Sequence, residues 1–160
     1  MNQSQADELI QLLKKHELCI GALYETFATI LPESKDHWLA FAKEERQHAQ
    51  WIETLHTHLK KGNISLEQIK ITSQSTKLAI DYAEKLGQQV IRDKPDLQQV
   101  IAYAINLEKS LLESSFFKVF KLDEPNASNI RDRLQQATRD HVARMTAWRE
   151  EVRNKEEANR

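Results

Sequence analysis

The chain has 160 residues, enough for one domain with its own core, and only three glycines and three prolines. Ala, Leu, Glu, Gln, Lys and Arg abound, which is a helix-forming composition. A net charge of −1 without a long basic stripe argues against a nucleic-acid partner, no apolar run is long enough to cross a membrane, and the single Cys19 excludes an internal disulfide.

The first seven residues are polar and lack a signal-peptide core, so the expected location is cytoplasmic. Hydrophobic spacing predicts a first long helix from about Ala6 to Leu31, with Ser4 as its cap. Its apolar stripe is Leu9, Leu13, Ile20, Leu23, Tyr24, Phe27 and Ile30. Pro32 and Ser34 break the chain. A second long helix runs from about Lys35 to Lys61, with Trp38, Phe41, Ile52, Leu55 and Leu59 inward, and Lys60, Lys61 and Gly62 suit its end. Residues 63–74 read as a connector. A shorter helix follows from about Ser75 to Ile91, with Leu78, Ala79, Tyr82, Ala83 and Leu86 inward. After the breaker Asp93-Lys94-Pro95-Asp96, a third long helix runs from about Pro95 to Lys121. Leu122 to Asn126 is a turn, and a fourth long helix runs from about Ala127 into the 150s. Residues 149–160 form a charged end that is expected to fray. The expected fold is a single all-α domain, residues 1–160: an antiparallel four-helix bundle of two hairpins, with a long crossover that contains the shorter helix between helices 2 and 3.

Several charged residues interrupt the apolar stripes. Glu17 has Leu13 four positions before it and Ile20 three after, so it points inward, while Glu25 falls at the boundary. Glu45 and His48 form a Glu-x-x-His on the inward face of the second long helix. Glu108 sits between Ala104 and Leu111 on the third, and His141 between Ala137 and Met145 on the fourth. Every long helix therefore brings an acid or imidazole to the core. Burying several ionised carboxylates together is costly unless a cation neutralises them. Carboxylates with imidazoles suit iron, manganese or zinc, so Glu17, Glu45, His48, Glu108 and His141 are the expected metal ligands. A second Glu-x-x-His, Glu53 to His56, has no stripe around Glu53 and reads as surface. Cys19, two positions from Glu17, reads as a packing thiol.

Three segments carry a resemblance. They are Glu17-Leu18-Cys19-Ile20-Gly21-Ala22-Leu23-Tyr24-Glu25-Thr26-Phe27-Ala28, Phe41-Ala42-Lys43-Glu44-Glu45-Arg46-Gln47-His48-Ala49, and Leu107-Glu108-Lys109-Ser110. They resemble the rubrerythrin branch of the ferritin-like diiron-carboxylate family. That resemblance implies a ferritin-like four-helix bundle holding non-haem iron, or manganese or zinc, with oxygen or peroxide chemistry. It also implies Glu45 as a bridging ligand, Tyr24 beside the ligands, and a homodimer or other homo-oligomer. The family carries a second Glu-x-x-His on its fourth helix, where this chain has Thr138-Arg139-Asp140-His141. Threonine is a poor ligand and brings no charge for a second cation, and Asp140 points about 100° away from His141. One ion or two is therefore left open. The paired Cys-x-x-Cys motifs of a rubredoxin-like domain are missing, so an oxidoreductase cycle would need an external electron donor.

The Thr138 departure supports a second expectation, a degenerate bundle without catalysis that acts as an interaction or assembly protein. Trp38, Trp51 and Trp148, with His37, His56 and His58, are its candidate partner surface. Taken singly, the tryptophans read as core fillers and the histidines as solvated.

Overall fold

The computed structural model describes residues 1–66, 72–113, 120–122 and 125–160. Helix α1, Gln3–Ile30, starts earlier than the spacing predicts because Asn2, not Ser4, caps it. The Asn2 side chain accepts from Gln5 N–H, and the Gln5 side chain accepts from Asn2 N–H. A single 3-10 turn, Pro32–Ser34, leads into α2, Lys35–Lys60. Gly62, just past its end, takes a positive φ of 76° that a side chain would oppose. Strand β1, Ile64–Leu66, follows, then α3, Ser73–Asp93. Lys94 turns left-handed after α3, and the Asp96 carboxylate accepts from Gln99 N–H at 2.8 Å. That cap starts α4, Leu97–Glu113, so Pro95 lies outside the helix rather than opening it.

The third long helix expected to reach Lys121 is shorter. Helix α4 is described to Glu113, residues 114–119 lie outside the described residues, and Phe120–Leu122 form strand β2. Strand β2 pairs antiparallel with β1, Ile64 opposite Leu122 and Leu66 opposite Phe120. Such short strands are stabilised by a partner far along the chain, which helical periodicity cannot register. The class remains all-α. The ribbon also takes part of the predicted 63–74 connector, whose residues 67–71 lie outside the described residues, as do Asp123 and Glu124 of the predicted turn. Helix α5, Pro125–Ala158, carries the charged end expected to fray as continuous helix.

Side-chain pairs fix the directions of the helices. Along α1 and α2, Gln11 meets His56, Lys14 meets Glu53 and Glu25 meets Arg46, so the two are antiparallel. Along α4 and α5, Gln98 meets Arg149 and Glu108 meets His141, again antiparallel. Helices α2 and α5 oppose one another through Trp38 with Trp148 and Glu44 with Arg144. Helix α3 packs on α1 in parallel, with Lys77 on Glu8, Glu84 on Cys19 and Gly87 against Leu23. It returns the chain along the length of the bundle, so α4 runs parallel to α2.

The core holds the predicted stripes of α1 and α2, and Tyr24, Phe27, Trp38, Phe41 and Trp148 form one aromatic cluster. Gly21 lets α1 approach α2 closely: a Cβ there would lie 3.3 Å from Glu45 Cβ. The inward face of α3 differs from expectation. Ala83 and Leu86 are buried as predicted, but Leu78 is 63% and Tyr82 57% exposed, and Ala79 is half-buried. Thr76, Ile80 and Val90 are buried instead. The helix rests mainly on one neighbour, so its buried stripe is narrow, and two overlapping stripes both contain Ala83 and Leu86. No helix among the described residues is long and apolar enough to cross a membrane.

Truncating Ile80 to alanine is expected to cost about 2–5 kcal/mol in urea unfolding. Truncating Leu78 is expected to stay within about 0.5 kcal/mol. Equal losses would contradict this orientation of α3.

Candidate metal centre

Four helices deliver the polar cluster. Glu17 comes from α1, Glu45 and His48 from α2, Glu108 from α4 and His141 from α5, and all five are buried. Glu45 and His48 lie one turn apart and point the same way, as the helical repeat requires. Nδ1 of His48 lies 3.2 Å from Glu45 Oε2 and 3.4 Å from Glu17 Oε2. Nδ1 of His141 lies 2.8 Å from Glu45 Oε1 and 3.2 Å from Glu108 Oε1. Glu45 thus stands between the two imidazoles and offers one oxygen to each. The two rings are 5.1 Å apart. Ligand atoms of Glu45, His48 and His141 all lie within 4.8 Å of one another. Tyr24 donates its hydroxyl to Glu108 Oε1 at 2.5 Å.

Thr138 is buried, but its hydroxyl donates to Leu134 O at 3.0 Å on its own helix. Helix α5 therefore contributes His141 to the cluster, while the hydroxyl of Thr138, one turn before it on the same face, is bonded to its own helix. Cys19 sits half-exposed on the α1–α3 seam beside Glu84, and burial raises its thiol above the usual range, which keeps it protonated and unreactive. Glu25 is half-buried and paired with Arg46, at the boundary as predicted.

Three residues were missed or misread. His56, expected on the surface, is buried, and its ring lies 2.6 Å from Asp7 Oδ1 and 3.3 Å from Gln11. Its spacing from Ile52 and Leu59 signals an inward position, but only the packing of α1 on α2 supplies the polar partners. His16 is buried too, four positions before Ile20 and seven before Leu23, so the stripe itself could have revealed it. Burial pushes its imidazole below the usual range against the charge of Glu17, so it is a neutral core histidine. The third is Glu44, which accepts from His141 Nε2 at 2.8 Å and from both terminal nitrogens of Arg144. No helical period marks it, because its partners lie on another helix. Of the candidate partner surface, Trp38 and Trp148 are core and His37 stacks on Trp148 at 4.4 Å.

No family model, curated protein or solved structure matches the chain.

The donor set itself suits a divalent cation. Carboxylate oxygens and imidazole Nδ1 atoms converge, and buried Glu45 Oε1 makes no hydrogen bond of good geometry despite its nearness to His141. The Glu44 contact fixes His141 with Nδ1 facing the cluster, an arrangement common behind metal-binding histidines. Without a cation, the imidazoles take over the charge balance. Burial opposes the charged form of His48, but its bonds to Glu17 and Glu45 outweigh that and raise it to about 10. Burial likewise opposes His141, and Glu108 and Glu45 raise it to about 11. Burial pushes Glu17 up to about 7. Burial also lifts Tyr24 well above the usual range, with the charge of Glu108 adding to it, so the phenol keeps its proton.

The three raised values, of Glu17, His48 and His141, share one sign. Each binds its proton more tightly folded than unfolded, so its contribution is complete below the unfolded value, 4.5 for Glu17 and 6.5 for the histidines. It is lost as pH rises through about 7, 10 and 11 respectively. Protein kept metal-free with chelator is therefore expected to unfold at lower urea concentration at about pH 9 than at about pH 7. A midpoint that rises over that interval would contradict the assignment of two charged histidines.

Proposed function

We propose that the chain is a ferritin-like, rubrerythrin-like metal-binding protein that takes a divalent ion into its bundle core, iron first and manganese or zinc as alternatives. One observation carries the reading: ligand atoms of Glu45, His48 and His141 lie within 4.8 Å of one another at one buried spot, with Glu17 beside His48 and Glu108 beside His141. Helix order supports the ferritin-like part. Hairpins α1–α2 and α4–α5 are antiparallel, and α3 occupies the crossover that makes α4 parallel to α2.

The five residues would hold the ion, and bound iron would supply reduction of oxygen or peroxide. The chain's own groups prepare that site. The carboxylates would balance the ion's charge once His48 and His141 give up their protons, and Glu44, held at His141 Nε2, would leave Nδ1 for the ion. Tyr24 keeps a proton on its oxygen beside Glu108. Phe41 and Trp38, packed around Tyr24, exclude water. Electrons would come from an external donor, and a cytoplasmic homodimer or other homo-oligomer completes the reading.

A specific observation favours the second reading, an interaction or assembly bundle without catalysis. The Thr138 hydroxyl is committed to Leu134 O, and charged His48 and His141 balance the carboxylates without metal.

Thermal unfolding separates the two. Anaerobic Fe(II) at about a hundredfold excess over its Kd is expected to raise the wild-type Tm by about 5–10 °C. Glu45→Ala, which removes the shared carboxylate, is expected to show no such rise. A wild-type Tm that ignores Fe(II), in protein that carries no metal by elemental analysis, leaves the scaffold reading standing.

A further inference from the structure

Among the described residues, Glu44 is the direct hydrogen-bond partner of the five cluster residues that reaches solvent. Its side chain is 39% exposed, whereas Glu17, Tyr24, Glu45, His48, Glu108 and His141 are all buried. On its inner side it holds His141 Nε2 at 2.8 Å. On its outer side it accepts two bonds from Arg144, at 3.0 and 2.7 Å. The Arg144 guanidinium, on a side chain 49% exposed, lies 4.7 Å over the Phe41 ring. Phe41 in turn meets His141 at 5.2 Å, ring edge against face. Beside Arg144, a surface depression of about 350 Å³ opens between α2 and α5, bounded by Phe41, Arg144, Trp148 and Glu151.

Arg144 lines that depression, and Glu44, bonded to Arg144 on one side and to His141 on the other, connects it to the buried cluster. Their charges act in opposite senses on an approaching cation. Glu44 attracts it, and Arg144 repels it while occupying both Glu44 oxygens. A partly exposed ion pair is weak, and a long surface side chain changes rotamer quickly, so the pair opens without any backbone movement.

We infer that the Glu44–Arg144 pair is a gate, through which a divalent cation passes from the α2–α5 depression to the buried cluster when Arg144 swings off Glu44. Glu44 receives the ion and hands it past Phe41 to Glu45 and His141, and Arg144 closes behind it. This rests on the metal-binding reading and adds the route and its control.

The test mixes metal-free protein with Co(II) in a stopped-flow instrument, where visible absorption reports coordination. Arg144→Gln is expected to take up Co(II) roughly tenfold faster than wild type, the low end of what local charge does to the encounter of an ion. Arg144→Lys, which keeps the charge, is expected to stay close to wild type. Glu44→Gln is expected to be slower, and both Arg144 variants are expected to reach the wild-type number of ions at saturation. Far-ultraviolet circular dichroism checks that each is folded. Wild-type rates in both Gln variants, at full stoichiometry, would overturn the gate and leave the metal centre standing. The same holds if Glu44→Gln weakens the final affinity at an unchanged uptake rate, since Glu44 would then only position His141. A wild type that takes up no more Co(II) than Glu45→Ala overturns the gate and the metal-binding reading together.

Discussion

Three buried carboxylates arranged around two imidazoles demand positive charge, and the arrangement around Glu45 answers that demand. Glu17, Glu45 and Glu108 are each desolvated, and in a low-dielectric interior their mutual repulsion is little screened. His48 and His141 are placed so that every carboxylate has an imidazole beside it and Glu45 has two. The helices that carry these residues are held at the spacing this requires, and the aromatic cluster keeps the surroundings dry. The metal-bound form proposed above would draw on the same side chains.

Topology serves that arrangement. The four contributing helices come from two hairpins, and hairpins alone would leave the link between them undetermined. Helix α3 sets the link by running parallel to α1 on the outside of the bundle, which brings Glu108 to the same level as Tyr24 and His141. At the other end of the chain's return, the β1–β2 ribbon ties the segment after α2 to the segment before α5.

The five cluster residues were legible because a charge on an apolar stripe breaks a helical period. Glu108 between Ala104 and Leu111 is conspicuous on those grounds alone. The same signal existed for His16, whose neighbours Leu13 and Ile20 are equally apolar. Glu44 was not legible, because its partners His141 and Arg144 belong to α5 and no spacing within α2 predicts them. The rotation of α3 was ambiguous for another reason: Leu78 and Tyr82 are apolar yet exposed, so hydrophobicity alone pointed to the wrong edge of the stripe. The ribbon was hidden because its pairing spans distant residues. The role of Thr138 was visible as a departure, but only its bond to Leu134 O shows where its hydroxyl goes.

Gly21 gives the cluster a property of its own. Because a methyl group there would press on Glu45 Cβ at 3.3 Å and on Ala42 O at 3.4 Å, the bare backbone of Gly21 sets the separation of α1 and α2 at Glu45. Side chains that set a gap can shift rotamer to fit a larger guest, whereas a backbone contact cannot without moving two helices. A larger side chain at position 21 would therefore displace α2, and Glu45 with it, instead of merely refilling a gap.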